Sequence, residues 1–180
     1  MHAGHLDLEG GGALIQVYTG KGKGKTTAAL GLALRAAGAG LKIYIAQFVK
    51  GRSYSELRAL KKFKNIKVEQ FGTTCFIRKA PDIKDILGAQ AGLNQAKKII
   101  AGKKYNVIIL DEINIALELK LLKLAEVLDI LKHTPLATEL ILTGRSAHPQ
   151  IIKMADLVSE VKDIKHYYNK GIRARRGIEF

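Results

Sequence analysis

Tryptophan is absent from this chain, and cysteine occurs once, at Cys75. A lone cysteine excludes an internal disulfide and makes a reducing compartment the default. Aromatic residues are few, six Tyr and five Phe in 180 residues, which is thin material for a surface that stacks exposed bases. The three prolines are isolated from one another, and no Pro- or Ser-rich linker or internal repeat divides the chain. No apolar run approaches the roughly 18 residues that a membrane-spanning helix needs. The first twelve residues are polar and glycine-rich and lack an apolar signal segment. Acidic residues are also scarce, 16 Asp+Glu against 30 Lys+Arg, a formal charge of +14. Such an excess can attract nucleic acid, a membrane surface or a polyanionic small molecule. A lysine-rich solvated surface explains much of it equally well.

Residues 1–12 read as a flexible polar leader, with His2 and His5 inside it. From residue 13 onward, short apolar runs alternate with helical patterns. Strands are expected at 13–19, 42–49, 66–71, 106–110, 139–142 and 157–161. Helices are expected at 25–37, 53–63, 82–101, 116–132 and 149–155. The runs NVIIL at 106–110 and ELIL at 139–142 are almost wholly apolar, as strands covered on both faces must be. Strand–helix alternation of this kind calls for an α/β fold, a mostly parallel sheet with helices on both faces. Residues 13–180 are expected to form a single domain of the P-loop nucleotide-binding type.

The strongest local signal is Gly20-Lys21-Gly22-Lys23-Gly24-Lys25-Thr26-Thr27, leaving an expected strand and entering an expected helix. The strict phosphate-loop pattern asks for Gly where Thr19 stands; Gly24-Lys25-Thr26 conforms. Glycines let the backbone curl around an anion with its N–H groups pointing inward. The positive end of the following helix is aimed at the same place. Lys25 brings a full charge to the terminal phosphates, and the Thr26 hydroxyl is a ligand for Mg²⁺. Three lysines in one loop exceed what a single phosphate loop needs.

A second signal is Asp111-Glu112, directly after the run at 106–110. In open α/β sheets, ligands bind beyond the carboxyl ends of the strands, and an acidic residue there holds Mg²⁺ directly or through water. Thr26, Asp111 and Glu112 are the expected metal-site residues, with the choice between the two carboxylates open. Lys25 and Glu112 are the expected catalytic residues, and Asn114 is a further polar neighbour. Arg35, about 15 Å along the helix from Lys25, suits a structural or surface role.

Five segments taken together identify a family. They are GKGKGKTTAA at 20–29, QFVKG at 47–51, LDEIN at 110–114, LTGR at 142–145, and the ending that runs from Lys165-His166-Tyr167-Tyr168 to Gly177-Ile178-Glu179-Phe180. In this order and spacing they resemble the ATP:corrinoid adenosyltransferases of the bacterial cobalamin pathway, over about residues 15–180. The resemblance implies that a cobalt(I) corrinoid attacks the 5′ carbon of ATP, yielding an adenosylated corrinoid and inorganic triphosphate. It also implies Mg²⁺ dependence, a homodimer, a flavoprotein reductant and a cytoplasmic setting. ATP is expected to lie reversed in the loop, exposing the 5′ carbon. The nucleophile then belongs to the corrinoid. The protein must position two substrates and stabilise a departing triphosphate, a role suited to Lys21, Lys23 and Lys25.

One stretch departs from the family pattern. Where members carry Gly-Thr-Gly-Phe-Thr-Trp, this chain has Gly72-Thr73-Thr74-Cys75-Phe76-Ile77, so Cys75 and Ile77 replace the aromatics expected to face the corrin. Cys75 suits a small apolar filler better than a reactive thiol. His166, Arg173, Arg175 and Arg176 form a basic cluster suited either to substrate contact or to a solvated tail. A competing reading is a small recombinase-like ATPase that binds nucleic acid, favoured by the charge and by Glu112 as orienter of a hydrolytic water. A third is a nucleotide-sensing protein without turnover.

Overall fold

The computed structural model describes residues 14–51, 54–73 and 80–180. The leader, with His2 and His5, and Thr74, Cys75, Phe76 and Ile77 of the departing stretch lie outside those residues. In chain order the elements are β1 (Ile15–Thr19), α1 (Lys25–Gly38), β2 (Ile43–Gln47), α2 (Ser55–Leu60), β3 (Ile66–Gln70), α3 (Ile83–Ala101) and β4 (Val107–Asp111). Then come α4 (Ile113–Glu118), α5 (Leu124–Lys132), β5 (Glu139–Thr143), α6 (Pro149–Met154), β6 (Leu157–Glu160) and a 3₁₀ turn at Tyr167–Lys170.

The six strands form one sheet in the order β3-β2-β4-β5-β1-β6. Every pairing is parallel, which sharpens the expected mostly parallel sheet. The central strands alternate between two cores. Tyr44, Ala46, Ile108, Leu110, Leu140 and Leu142 face one side, where α3, α5 and α6 pack. Ile43, Ile45, Val107, Ile109 and Ile141 face the other, beneath α1 and Leu60 of α2. Two-sided coverage is why these strands read as unbroken apolar runs. Each fully buried Ile or Leu there contributes about 1.5–3 kcal/mol. Helix α1 lays Ala29, Ala33 and Ala36 on the sheet. That is a helical stripe of minimal side chains, which brings its first turn close to the strand ends.

One expected element is corrected. The apolar pattern at 116–132 is two helices, α4 and α5. Lys120 adopts φ 58 and ends α4, with Leu121 N–H donating to Ala116 O at 2.9 Å. Leu121 and Leu122 then plug the core at 3% and 6% exposure. Helix α5 restarts with Lys123 N–H donating to the Glu126 carboxylate at 3.3 Å. Buried leucines in a connection carry the same apolar signature as a helix face, so periodicity alone joined the two.

Among the described residues no helix is long and apolar enough to cross a membrane.

Candidate functional site

The carboxyl ends of β1, β2, β4 and β5 stop at one level, and the parallel registers Gln47↔Asp111 and Tyr18↔Thr143 carry Thr19, Gln47, Asp111 and Thr143 to the same edge. The glycine loop closes over this edge. Gly20 and Gly24 take φ 95 and 123, a region that L side chains enter only with strain. The left-handed turns therefore fall at these two residues, and position 19 is free to hold Thr. Thr19 is used structurally, its Oγ1 accepting from Ala147 N–H at 3.1 Å.

Gly22 is required by a neighbour. Its N–H donates to Val161 O at 2.8 Å, and a Cβ there would meet Val161 O at 2.8 Å and Lys162 C at 2.9 Å. Gly22→Ala is therefore expected to push the loop off the end of β6 and weaken ATP binding roughly tenfold, about 1.4 kcal/mol. Calorimetric titration with ATP checks this; an unchanged Kd would show that the contact does not set the shape of the loop.

The three loop lysines separate. Lys25, the first residue of α1, is 8% exposed, and its Nζ donates to Gly22 O at 2.6 Å. Burial pulls its pKa below the ordinary lysine value, with Arg145 adding to the effect and Glu112, Asp163 and Asp111 opposing it. Lys23 is tied to the end of the chain. Its N–H donates to Asp163 Oδ1 at 3.1 Å, and its Nζ donates to Ile178 O at 3.3 Å and lies 3.6 Å from Glu179. Lys21 is exposed at the mouth of the loop, as is Thr27 on the first turn of α1.

Asp111 is the most heavily engaged group. It is fully buried. Its Oδ1 accepts from Thr26 Oγ1 at 2.8 Å and Thr143 Oγ1 at 2.7 Å. Its Oδ2 accepts from Gln47 Nε2 at 3.1 Å and Lys50 Nζ at 2.8 Å. Lys50 Nζ also donates to Thr26 Oγ1 at 3.0 Å. Burial lowers the Lys50 pKa, but the charges of Asp111 and Glu112 and the bond to Asp111 outweigh it, and the net shift is upward.

Glu112 lies next along the chain in the left-handed region, φ 63, with its N–H donating to Thr143 Oγ1 at 2.9 Å. Burial raises its pKa, and so does the charge of Asp111; Lys50, Lys25 and Arg145 act the other way. Asn114 is buried behind it at 1% exposure, and its side-chain amide has no hydrogen-bond partner among the described residues.

Thr26, Asp111 and Glu112, expected together from sequence, are thus brought together with Lys25. Lys50, Gln47 and Thr143 were not singled out. Each sits in a segment that carries the family resemblance, QFVKG or LTGR, which was the available signal. Arg35 is exposed on α1, consistent with a surface role. Of the basic C-terminal cluster, Arg175 is engaged internally. Its guanidinium lies 4.9 Å from the Tyr167 ring and 3.5 Å from Glu179. Glu179 also accepts from the Tyr167 hydroxyl. The Tyr167 and Arg175 bonds hold the Glu179 carboxyl down to about 2. The C-terminal segment is therefore folded onto the phosphate loop through Lys23, and Ser55 Oγ donates to Phe180 O at 3.0 Å.

Mg²⁺ prefers near-octahedral oxygen ligands and is usually held by one or two carboxylates plus substrate phosphates. The Thr26 hydroxyl, 2.8 Å from Asp111 Oδ1, with the Glu112 carboxyl adjacent, fits that preference. Among the described residues no group of three or more His, Cys, Asp or Glu could hold an ion.

The sequence matches the family described as ATP:corrinoid adenosyltransferase BtuR/CobO/CobP over residues 12–180. It is 37% identical over 177 residues to a corrinoid adenosyltransferase of Sinorhizobium sp, covering 93% of this chain and 80% of that protein. It is 34% identical over 167 residues to the corrinoid adenosyltransferase of Escherichia coli (strain K12), covering 93% and 85%. The solved structure of a KaiC-like protein from Pyrococcus horikoshii OT3 superimposes with a TM-score of 0.57 at 17% identity, covering 86% of this chain and 75% of that one. Similarity at that identity concerns the fold alone.

Proposed function

This chain belongs to the ATP:corrinoid adenosyltransferase family, and on that premise we propose that the loop at residues 20–27 holds the triphosphate of ATP while a reduced corrinoid attacks the ribose 5′ carbon. The enzyme carries out ATP-dependent adenosylation of corrinoids. The observation that supports the assignment of this site is the convergence of buried Lys25 and the Thr26–Asp111 pair on one edge of the sheet.

In the proposed step, the electron pair of cobalt(I) forms the Co–C5′ bond as C5′–O5′ breaks, and the released pair leaves on the triphosphate. The leaving group gains charge, so groups that stabilise that charge accelerate the reaction. Lys25 turns its ammonium from Gly22 O to the phosphates. The loop N–H groups and the N-terminal end of α1 add fixed partial charge. Thr27 and Lys21 contact phosphate at the mouth of the loop. Thr26 and Asp111 would hold Mg²⁺, with Glu112 as a second available carboxylate. The ion would neutralise part of the charge on the departing triphosphate. Lys23 anchors the loop to the C-terminal segment.

The wider reading places residues 13–180 as one P-loop domain of a cytoplasmic homodimer acting in adenosylcobalamin synthesis or salvage, supplied with reduced corrinoid by a flavoprotein. The recombinase-like alternative rests on the +14 charge, and the matched relatives add nothing to it. The test uses the full chain with ATP, Mg²⁺ and chemically reduced cobinamide or cobalamin. The expected result is a light-sensitive cobalt–carbon product, with one triphosphate released per corrinoid consumed. Absence of that product with both corrinoids overturns the reading, and DNA-stimulated phosphate release would replace it with the alternative.

A further inference from the structure

The proposed reaction uses Lys25, Thr26, Asp111 and Glu112 and leaves Lys50 without a task. Yet Lys50 is among the most constrained side chains at the site. Its Nζ lies 2.8 Å from Asp111 Oδ2 and 3.0 Å from Thr26 Oγ1, the two groups assigned above to Mg²⁺. The backbone delivers it there. Phe48 N–H donates to Asp111 O at 2.8 Å and Gly72 N–H donates to Lys50 O at 3.3 Å. Between these fixed points Val49 takes φ 49. A β-branched residue enters that region only when its surroundings impose it.

A metal ion cannot simply be added to this arrangement. Mg²⁺ binds oxygen at about 2.0–2.1 Å. An ammonium within 3.0 Å of both Asp111 and Thr26 would sit against the ion as a like charge in a partly dehydrated pocket. Conversely, the fully buried Asp111 carboxylate needs a cation at all times, because an unpaired buried charge is strongly unfavourable.

We propose that Lys50 is a resident cation that holds the metal position in the nucleotide-free enzyme and yields it only when the metal arrives with the triphosphate. It is a positioning residue: it keeps Asp111 neutralised and the Thr26 hydroxyl oriented while the site is empty. Its flexible four-carbon stem lets the ammonium swing away without moving the backbone. Free divalent ions are therefore excluded, and the ion enters as a metal–nucleotide complex whose phosphates supply the missing ligands. The inference rests on the assignment of Thr26 and Asp111 to the metal.

The test is a titration with Mn²⁺, a paramagnetic substitute for Mg²⁺, followed without ATP by the electron paramagnetic resonance of the free ion and with ATP by the Mn²⁺ that the protein retains on ultrafiltration, against a protein-free ATP blank. It uses the full-length wild type, Lys50→Met and Lys50→Arg, each with and without ATP. The wild type and Lys50→Arg are expected to leave Mn²⁺ free in the absence of ATP and to bind it in its presence. Lys50→Met is expected to bind Mn²⁺ without nucleotide at least tenfold more tightly than the wild type. Its thermal midpoint should fall in chelator and recover with Mn²⁺, whereas that of the wild type should not respond. Adding Asp111→Asn to Lys50→Met should abolish the gained binding. Stoichiometric binding of Mn²⁺ alone by the wild type overturns the proposal, and that arm does not depend on any variant folding. Equal failure of wild type and Lys50→Met to bind Mn²⁺ alone, with both binding it alongside ATP, also overturns it while leaving the metal assignment standing. No binding by any protein even with ATP removes the metal assignment itself.

Discussion

Replacing Lys25 with Met is expected to lower kcat/KM for adenosylation by about 10²–10³-fold, the range for removing one preorganised charge stabiliser, while leaving the fold intact. The two effects separate because of where Lys25 sits. Its side chain is buried, and burial depresses its pKa below that of a free lysine. The folded protein thus carries a charge that folding disfavours. Methionine matches the length and helix propensity of lysine without that charge. The lost hydrogen bond to Gly22 O costs about 1 kcal/mol, offset by relief of the desolvated ammonium. The pH dependence follows in sign. Because the folded pKa lies below the unfolded one, the stability cost is present at neutral pH and disappears as pH rises through the two values. The thermal midpoint of Lys25→Met relative to wild type should therefore be most favourable near pH 7 and decline toward alkaline pH. A variant that loses activity and also unfolds many degrees earlier at pH 7 would show that Lys25 is a structural residue.

Asp111→Ala is expected to act in the opposite manner, removing stability and activity together. The carboxylate is fully buried and accepts from Thr26, Thr143, Gln47 and Lys50. Deleting it strands the Lys50 ammonium, whose side chain is only 16% exposed, and leaves three further donors without their acceptor. Breaking a buried ion pair from one side costs about 3–5 kcal/mol, a fall of roughly 6–20 °C in Tm for a chain of this size. Urea unfolding measures it. A double-mutant cycle with Lys50→Met then isolates the pair, with a coupling of about 0.5–3 kcal/mol expected. A loss below about 1 kcal/mol in Asp111→Ala would mean that the network does not form in solution.

Much of the architecture is legible in the sequence. Apolar runs with no alternation correspond to strands covered on both faces, and all six expected strands begin and end within two residues of those observed. The glycine loop was recognisable because its function depends on backbone shape, and only glycine permits that shape at Gly20 and Gly24. The expected helix at 116–132 is two helices because Leu121 and Leu122 are buried in a connection, and burial rather than helicity is what their apolarity reports.

The partners of Asp111 were not legible from local pattern. Gln47, Lys50 and Thr143 lie 64, 61 and 32 residues from it along the chain. Only the parallel order β2-β4-β5 brings those three strand ends side by side. The division of labour among Lys21, Lys23 and Lys25 was equally invisible. It depends on residues 161–179 folding back over the loop to engage Gly22 and Lys23.

By itself the sequence determined the kind of fold, the phosphate loop and the family, because each is written in short-range pattern: hydrophobic period, glycine placement and motif spacing. The tertiary structure decided which charges meet. That depends on strand order and chain return, which no local pattern encodes, and it is what set Lys50 against Asp111 and turned a pair of neighbouring carboxylates into one buried, paired group and one raised in pKa by burial and its neighbour's charge.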